Sequence, residues 1–321
     1  MTNDPFVSIL IPVKADNKNL RECIEKCLAL DYAAFEIIVL PDEAIQVSYT
    51  EKVKIIPTGP VGPAAKRDIA VDKARGDVLA FLDDDTFPDK DWLKNAAADL
   101  KNDVAAVGGP AVTPESDNVL QKASGLVYSL FLVSGPHNRR YIPRPKAEVD
   151  DYPSCNFLVT KEAFLKAGSF DTKFWPGEDT ILCLKITNEL KKKIIYNPQV
   201  LVCHHRRPLF GPHLRQIKSY ALHRGYFVKK FPANSLKVSY FVPSVFVLGL
   251  IGGLVFSYFI PLVKGVYIVI VVFYLALAAF SSIPQKGFKL KALVFAGIIL
   301  THLAYGIYFI KGLFSKKLSE E

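Results

Sequence analysis

The stretch DVLAFLDDDTFPDKDWL, residues 77–93, sets an apolar run directly before three consecutive aspartates. A short apolar run bounded by polar residues is typical of a buried strand. Runs of the same character, separated by helix-like segments, occur at 6–13, 35–40, 53–57 and 104–109. Strands that alternate with helices need crossover connections. The sequence therefore predicts an α/β domain with a mostly parallel sheet flanked by helices.

The aspartate triplet follows one of these predicted strands. Ligands of parallel sheets bind beyond the carboxyl ends of the strands, which is where Asp83, Asp84 and Asp85 are expected. Alternation along an extended chain directs Asp83 and Asp85 to one side and Asp84 to the other. Two convergent carboxylates suit Mg²⁺ or Mn²⁺ carrying substrate phosphates. The alternative is a polar loop after a strand, or a turn that Asp85 caps.

The positive charge of the chain is concentrated in one segment. The whole chain has a formal net charge of +9, whereas residues 185–237 contain twelve Lys or Arg and one acid, a net of +11. Such a segment suits nucleic acid, anionic lipid headgroups or a diphosphate. Because it leads straight into apolar sequence, a membrane and a phosphate ligand are the expected partners, and nucleic acid is not.

Three uncharged or nearly uncharged apolar stretches follow, at 238–263, 265–285 and 292–310. Each is about long enough as a helix to cross a hydrocarbon core of about 30 Å. The N-terminus lacks the basic region and cleavage site of a signal peptide. We therefore expect a multi-pass protein of the cell membrane whose globular domain is cytoplasmic.

Domain boundaries follow from this pattern. Residues 1–237 are predicted to form the globular domain, 238–312 the membrane region and 313–321 a polar tail. Within the domain, 212–234 is predicted to contain an amphipathic helix at the bilayer surface, with a basic face and an aromatic face.

The lysines near the C-terminus conflict with three membrane crossings, so the sequence leaves the number of crossings open. Three crossings would put Lys311, Lys316 and Lys317 on the outer side, which the positive-inside rule disfavours. One apolar segment is therefore a candidate for a re-entrant or interfacial position, and the first, which Pro and Gly interrupt, is the one that the sequence favours.

Three more polar groups accompany the triplet. KR at 66–67 lies ahead of the triplet strand, ED at 178–179 begins a predicted helix, and HHRR at 204–207 follows another apolar run. Cations near a diphosphate, carboxylates at a helix N-terminus and a His-Arg group able to bind metal and phosphate would together form an active site. The alternatives are a solvated helix face, an acidic helix cap and a satisfied polar histidine.

In this order the pieces resemble family 2 glycosyltransferases of the GT-A fold, over residues 6 to about 230. The resemblance is carried by VSILIPVKADNKNLRECI, FEIIVLPDEA, GPAAKRDIAVDKARGDVLAFLDDDTFPDKDWL, CNFLVTKEAFLKAGSFD, GEDTILCLKI and YNPQVLVCHHRRP. Among subgroups the chain is similar to membrane-anchored enzymes of bacterial surface polysaccharide synthesis, of the succinoglycan type.

The resemblance implies a metal-dependent, inverting transfer of sugar from a UDP- or GDP-sugar to a lipid-linked or polysaccharide acceptor, with Mn²⁺ or Mg²⁺ at a DXD motif. It implies that the donor nucleotide contacts Pro12, Val13, Asp42, Lys66, Arg67, Asp83 and Asp84. It implies metal ligands at Asp85, Asp83 and His204, a general base at Asp179 beside Glu178, and an acceptor site at Asn156 and Trp175. The departing diphosphate is expected at Arg206 and Arg207.

Two departures from the family pattern narrow the expectation. PDEA replaces the common DDGS at 41–44, so Asp42 lacks a neighbouring acid, and no QxxRW motif follows the histidines. Processive polymer synthesis is therefore not expected.

Three other functions remain open at this point. A polyprenyl-phosphate sugar synthase has an already ionised acceptor, so it needs no general base. A sugar-phosphate nucleotidyltransferase would need a glycine-rich loop after the first strand, and IPVKADN at 11–17 has no glycine. The third is a non-catalytic membrane scaffold.

Overall fold

A computed structural model of the chain describes residues 4–45, 49–170 and 172–319, so the last two residues of the predicted tail lie outside it. Its strands are β1 Val7–Pro12, β2 Phe35–Leu40, β3 Val53–Ile55, β4 Val78–Leu82, β5 Thr86–Pro88, β6 Val104–Gly108, β7 Ala111–Val112, β8 Ala147–Val149, β9 Asn156–Thr160, β10 Lys193–Tyr196 and β11 Val202–His204.

The helices are α1 Lys18–Leu28, α2 Pro63–Val71, α3 Trp92–Asp99, α4 Val119–Ser129, α5 Phe131–Ser134, α6 Lys161–Lys166, α7 Glu178–Leu184, α8 Gly211–Lys230, α9 Pro232–Ser235, α10 Val238–Phe259, α11 Pro261–Ser282 and α12 Phe288–Phe314. A 3₁₀ helix spans Gly135–Arg140, and a π-helix at Lys185–Glu189 continues α7.

The described chain forms two compact units. The first contains residues up to 114 and residues 139–205, and the second contains residues 115–138 and 206–319. These units group α4, α5 and α8 with the apolar helices α10 to α12. The division differs from the domain boundary predicted near residue 237, which stays a prediction about where the membrane region begins.

The main sheet, in the first unit, has eight strands in the order β3-β2-β1-β4-β9-β6-β10-β8. Strand β1 pairs in parallel with β2 and β4, β2 with β3, and β6 with β10. Strand β9 is antiparallel to β4 and β6, and β8 is antiparallel to β10. The predicted mostly parallel α/β sheet is confirmed.

The apolar runs form strands because both faces of this sheet are covered. In β1, Ile9 and Ile11 belong to one hydrophobic core, whereas Leu10 belongs to the core on the other face. Successive side chains of a strand point to opposite faces, so an unbroken apolar run serves both cores. Asn17 caps α1, since its side chain accepts a hydrogen bond from the Leu20 amide at 3.0 Å.

A second, three-stranded sheet has the order β5-β11-β7. Strand β11 runs antiparallel to β5, with His204 opposite Thr86 and Val202 opposite Pro88. It also pairs in parallel with β7. Strand β5 directly follows the aspartate triplet, so its pairing with β11 places the end of β11 next to the triplet.

One buried carboxylate links three segments of the first unit. The Glu36 side chain is fully buried on β2. It accepts hydrogen bonds from the Ser8 hydroxyl at 2.8 Å, the Arg75 amide at 2.7 Å and the Lys54 ammonium at 2.8 Å. Burial opposes its ionisation, but the hydrogen bonds from Lys54, Arg75 and Ser8 prevail and lower the pKa of Glu36 to about 2.

We therefore expect Glu36→Gln to destabilise the protein by about 3 kcal/mol, because a buried carboxylate loses its charge-assisted hydrogen bonds with Lys54 and Arg75. This corresponds to a fall of about 5 to 10 °C in the unfolding midpoint of a domain of this size. The depressed pKa stabilises the fold above the ordinary pKa of 4.5, and this contribution is lost as the pH falls from there through about 2. The difference in unfolding midpoint between wild type and variant should therefore decrease as the pH falls from 4.5 to about 2.

Thermal unfolding of the detergent-solubilised full chain measures this difference. Glu148→Gln is the matched control, because Glu148 is exposed on β8 and its neutralisation should change stability little. Equal midpoints for the two variants would contradict the assignment of a stabilising role to Glu36.

Candidate active site

The carboxyl ends of β1, β2 and β4 lie side by side at one edge of the main sheet, because these neighbouring strands are parallel. Lys66 of α2 is buried beneath this edge. Its ammonium donates to the Val13 carbonyl at 2.8 Å and the Leu40 carbonyl at 3.0 Å, and it pairs with the Asp42 carboxylate. Lys66 thus ties together the loops after β1 and β2, and it holds Asp42 at the edge.

The aspartate triplet follows β4 at the same edge. The potential ligand atoms of Asp83, Asp85 and His204 all lie within 4.8 Å of one another. The His204 Nε2 atom lies 3.2 Å from Asp85 Oδ1, and the His205 amide donates to the Asp85 carbonyl at 2.9 Å. The pairing of β11 with β5 brings the histidine to the triplet, although the two are more than a hundred residues apart in sequence.

Asp84 faces away from this group. Its Oδ2 atom accepts a hydrogen bond at 2.7 Å from the side-chain amide of Asn17, the residue that precedes α1. Burial raises the pKa of Asp84 to about 6, against the Asn17 hydrogen bond and together with the negative charges of Asp85 and Asp83. Three carboxylates therefore crowd this edge at a cost in electrostatic energy that a bound cation would reduce.

Arg67 connects the triplet to the second acidic pair. Its side chain is about 1% exposed and lies beside the contacting rings of Phe81 and Phe170, with Cζ to centroid distances of 5.7 and 5.8 Å. One guanidinium nitrogen donates to Asp83 Oδ1 at 2.5 Å, and the other lies 3.7 Å from Glu178 Oε1. The structure thereby brings the triplet and the ED pair into one site.

The ED pair begins α7. Glu178 is buried and accepts a hydrogen bond from the Gly177 amide at 3.0 Å. Burial and the charge of Asp179 raise the pKa of Glu178, although Arg67 opposes the shift. Asp179 is half-buried and accepts hydrogen bonds from the Ser154 amide at 3.3 Å and the Thr180 amide at 2.8 Å. Asp179 is thus the more accessible carboxylate of the pair.

A further acid, which the sequence analysis does not identify, supports the first turn of α7. Asp151 is nearly fully buried, and it accepts hydrogen bonds from the Thr180 hydroxyl and from Arg140, each at 3.0 Å. The only sequence signal is the acidic pair at 150–151 in an irregular, charged segment, which is indistinguishable from a solvated loop.

Asn156, expected at the acceptor site, is fully buried at the start of β9. Its amide nitrogen donates to the carbonyls of Gly109 at 2.7 Å and Val200 at 2.8 Å, and its oxygen accepts from Trp92 Nε1 at 2.9 Å. These bonds engage the amide within the protein, so we assign Asn156 a structural role. Trp175, the other expected acceptor residue, is 53% exposed.

The two arginines after the histidines belong to the second unit. Arg206 is buried, and its main-chain amide donates to Asp117 at 3.2 Å within that unit. Arg207 is exposed. Their expected contact with a diphosphate stays a prediction.

Two relatives with assigned names are similar to parts of the chain. The pre-mycofactocin glycosyltransferase of Mycobacterium tuberculosis is 30% identical over 149 residues, which cover 46% of this chain and 30% of that protein. The glucosyl-dolichyl phosphate glucuronosyltransferase of Haloferax volcanii is 23% identical over 205 residues, which cover 58% of this chain and 64% of that protein. The chain therefore spans less than two thirds of the length of either relative.

A solved structure shares the fold. The mannosyltransferase PcManGT from Pyrobaculum calidifontis, solved in complex with GDP-Man and Mn²⁺, superposes with a TM-score of 0.55 and 18% sequence identity. The superposition covers 98% of this chain and 89% of that one. It confirms the predicted GT-A-like arrangement of a mostly parallel sheet followed by C-terminal helices.

The family itself is identified by a direct match. The model of glycosyl transferase family 2 matches residues 8–168, which is half of the 321 residues. This segment contains β1 except for its first residue, the Lys66–Arg67 pair and the whole aspartate triplet. With the site geometry above, the match confirms the family predicted from the sequence, and the chain belongs to glycosyl transferase family 2.

Proposed function

We propose that this protein transfers a sugar from a nucleotide-diphosphate sugar to a hydroxyl group of a lipid-linked or polysaccharide acceptor, with inversion at the anomeric carbon. The observation that carries the proposal is the buried Arg67, which contacts Asp83 on one side and Glu178 on the other. Through this residue, a group of metal-type ligands and a separate carboxylate pair form one site. Inverting transfer requires these two functions together.

The donor set at the edge of the sheet fits a divalent metal. Asp83 and Asp85 offer carboxylate oxygens and His204 offers an imidazole nitrogen, all within 4.8 Å of one another. Carboxylates suit Mg²⁺ and Mn²⁺, and the PcManGT structure with Mn²⁺ supports this assignment. When bound, such an ion supplies charge that stabilises the departing diphosphate.

The residues of this chain divide the remaining work. The loops after β1 and β2, with Pro12, Val13 and Asp42, are assigned to the nucleotide, and Lys66 holds these loops in place. Asp179 is assigned the role of general base that takes the proton of the acceptor hydroxyl. The hydrogen bonds from Ser154 and Thr180 orient its carboxylate.

On the acceptor side, we propose a lipid-linked glycan at the cytoplasmic face of the cell membrane. The Haloferax relative is named for a dolichyl phosphate substrate, and three C-terminal helices are long and apolar enough to cross a membrane. A membrane-attached enzyme meets a membrane-attached acceptor at a raised local concentration. Trp175, exposed just ahead of α7, is assigned to this side of the site.

Asp85→Asn tests the metal site. We expect loss of Mn²⁺ binding and a fall in turnover of at least about 100-fold, because the charge on the leaving diphosphate is no longer neutralised. Calorimetric titration of the solubilised full chain with Mn²⁺, and donor thermal shifts with and without Mn²⁺, measure the two steps separately. Asp89→Asn is the matched control, since Asp89 is an exposed aspartate four residues further along. Wild-type Mn²⁺ affinity in Asp85→Asn would refute the metal assignment.

Asp179→Asn tests the general base. The amide is isosteric, and its one oxygen can keep the shorter bond, from the Thr180 amide, whereas the bond from the Ser154 amide to the second oxygen is lost. The donor and Mn²⁺ are assigned to other residues, so we expect nearly unchanged donor and Mn²⁺ binding. Transfer to a hydroxyl acceptor should fall about 100- to 10,000-fold. Steady-state transfer assays with a panel of UDP- and GDP-sugars measure this loss.

Glu189→Gln is the control for that variant, because Glu189 is exposed in the π-helix that continues α7. A mild effect of Asp179→Asn, with Asp85→Asn inactive, would contradict the assigned base. It would favour a polyprenyl-phosphate sugar synthase, whose acceptor phosphate is already ionised and needs no base.

A further inference from the structure

Two of the three apolar helices form an exposed hairpin within the second unit. The rings of Phe246 in α10 and Tyr274 in α11 lie 4.3 Å apart, and a Cβ atom at Gly253 would lie 2.5 Å from the Tyr267 ring. These contacts pair the helices in antiparallel fashion, with the connection at residues 260–261. Between residues 248 and 277, all of which the structure describes, no residue is buried. Apart from its base, where Phe246 and Tyr274 contact His302 of α12, the hairpin therefore presents exposed apolar side chains.

The third helix, α12, is instead covered by protein along one face. A Cβ atom at Gly225 of α8 would lie 2.1 Å from the Phe309 carbonyl oxygen, and one at Gly312 would lie 2.0 Å from the Leu222 carbonyl oxygen. The two backbones are thus in direct contact through small residues. Nearer its N-terminus, α12 packs Gly297 against Val127 of α4.

Helices α8 and α12 run in the same direction. His213, buried in α8, is hydrogen-bonded to the Thr301 hydroxyl at 2.9 Å. Sixteen residues further along α8, the Lys229 ammonium donates to the Ser315 carbonyl at 2.6 Å. The second half of α12, about 20 Å long, therefore lies beside α8 over its whole length.

The charges of α8 determine where this pair of helices can lie. The helix carries Arg215, Lys218, Arg224, Lys229 and Lys230. Charged side chains are rare and costly in the hydrocarbon core of a bilayer. The second half of α12 lies beside α8, so it must lie at the same depth in the membrane as the charged residues of α8.

One lysine from each of the two helices lies close to the same aromatic ring, that of Tyr308. The ammonium groups of Lys218 in α8 and Lys311 in α12 lie 5.3 and 5.7 Å from the centroid of Tyr308. A lysine from each helix next to one aromatic ring is typical of the headgroup region, where both the ring and the charges are favourable.

We propose that α10 and α11 cross the membrane as a two-helix hairpin, and that α12 lies with α8 at the bilayer surface, facing anionic lipid headgroups. Each hairpin helix has 22 residues, about 33 Å, which matches a hydrocarbon core of about 30 Å. Lys264 is the one charged residue between 238 and 285, and it lies next to the tip of the hairpin.

Two membrane crossings agree with the positive-inside rule, whereas three crossings do not. The chain returns to its starting side after α11, so Lys311, Lys316 and Lys317 stay with the basic residues of α8. Lys264 alone is placed on the opposite side. The interfacial segment is therefore the third apolar stretch, whereas the sequence favours the first.

Accessibility of introduced cysteines tests the topology of the full chain in its native membrane. In a background without the five native cysteines, single cysteines replace Lys101 in the first unit, Lys264 at the hairpin tip and Ser319 after α12. With a membrane-impermeant maleimide, we expect Lys264→Cys to react from one side, and Lys101→Cys and Ser319→Cys only from the other. Reaction of Ser319→Cys from the side opposite to Lys101→Cys would overturn the proposal. So would failure of Lys264→Cys to react from the side opposite to Lys101→Cys.

A matched pair of lysine substitutions tests depth independently. Ile270 in the middle of α11 and Ile307 in the second half of α12 are 53% and 51% exposed. We expect Ile307→Lys to keep wild-type resistance to alkaline extraction and wild-type Mn²⁺ binding. Ile270→Lys should reduce the membrane-integrated fraction several-fold, because its ammonium lies in hydrocarbon. Equal losses for the two variants would overturn the surface position of α12.

Discussion

The two ion pairs of Arg67 are the interaction on which the site depends. A charge as deeply buried as this one is costly unless opposite charges surround it, and Asp83 and Glu178 provide them. The rings of Phe81 and Phe170 add cation–π contacts to the guanidinium. The position of the aspartate triplet after β4 and that of the ED pair at α7 are therefore coupled. A single residue of α2 thus sets the spacing between the proposed metal group and the proposed base.

The remainder of the first unit serves this arrangement. Parallel pairing of β2, β1 and β4 brings three strand ends to one edge, and Lys66 donates to the Val13 and Leu40 carbonyls at the ends of β1 and β2. The small sheet then brings His204 to the triplet, from which it is distant in sequence. At α7, Asp151 anchors the Thr180 hydroxyl, so the turn that carries Asp179 has a fixed orientation. Polar side chains held in this way lose little entropy when substrate binds.

Local patterns predicted the elements of this fold and part of its site. Apolar runs predicted the strands, and alternation along the chain separated Asp84 from its two neighbours. Long-range pairing was not predictable in this way. Lys66, with the spacing of a surface helix, is buried because it satisfies two main-chain carbonyls, and Asn156 is buried because Gly109, Val200 and Trp92 use its amide. Polar residues look alike in sequence whether their partners are ligands or distant parts of the same chain.

The same ambiguity applies to apolar residues, and the C-terminal helices illustrate it. Helices α10 and α12 have the same mean hydropathy of 2.0 in their most apolar windows, yet 17% of the one and 39% of the other is buried by protein. Hydropathy measures only the avoidance of water, and lipid tails and protein side chains satisfy it equally well. The discriminating information lies in the partners. The second half of α12 packs Gly312 against α8, a helix with five cations, whereas the second half of α10 packs Gly253 against α11, a helix with one. The depth of an apolar helix in a membrane is therefore set by the charges of the helix beside it as much as by its own composition.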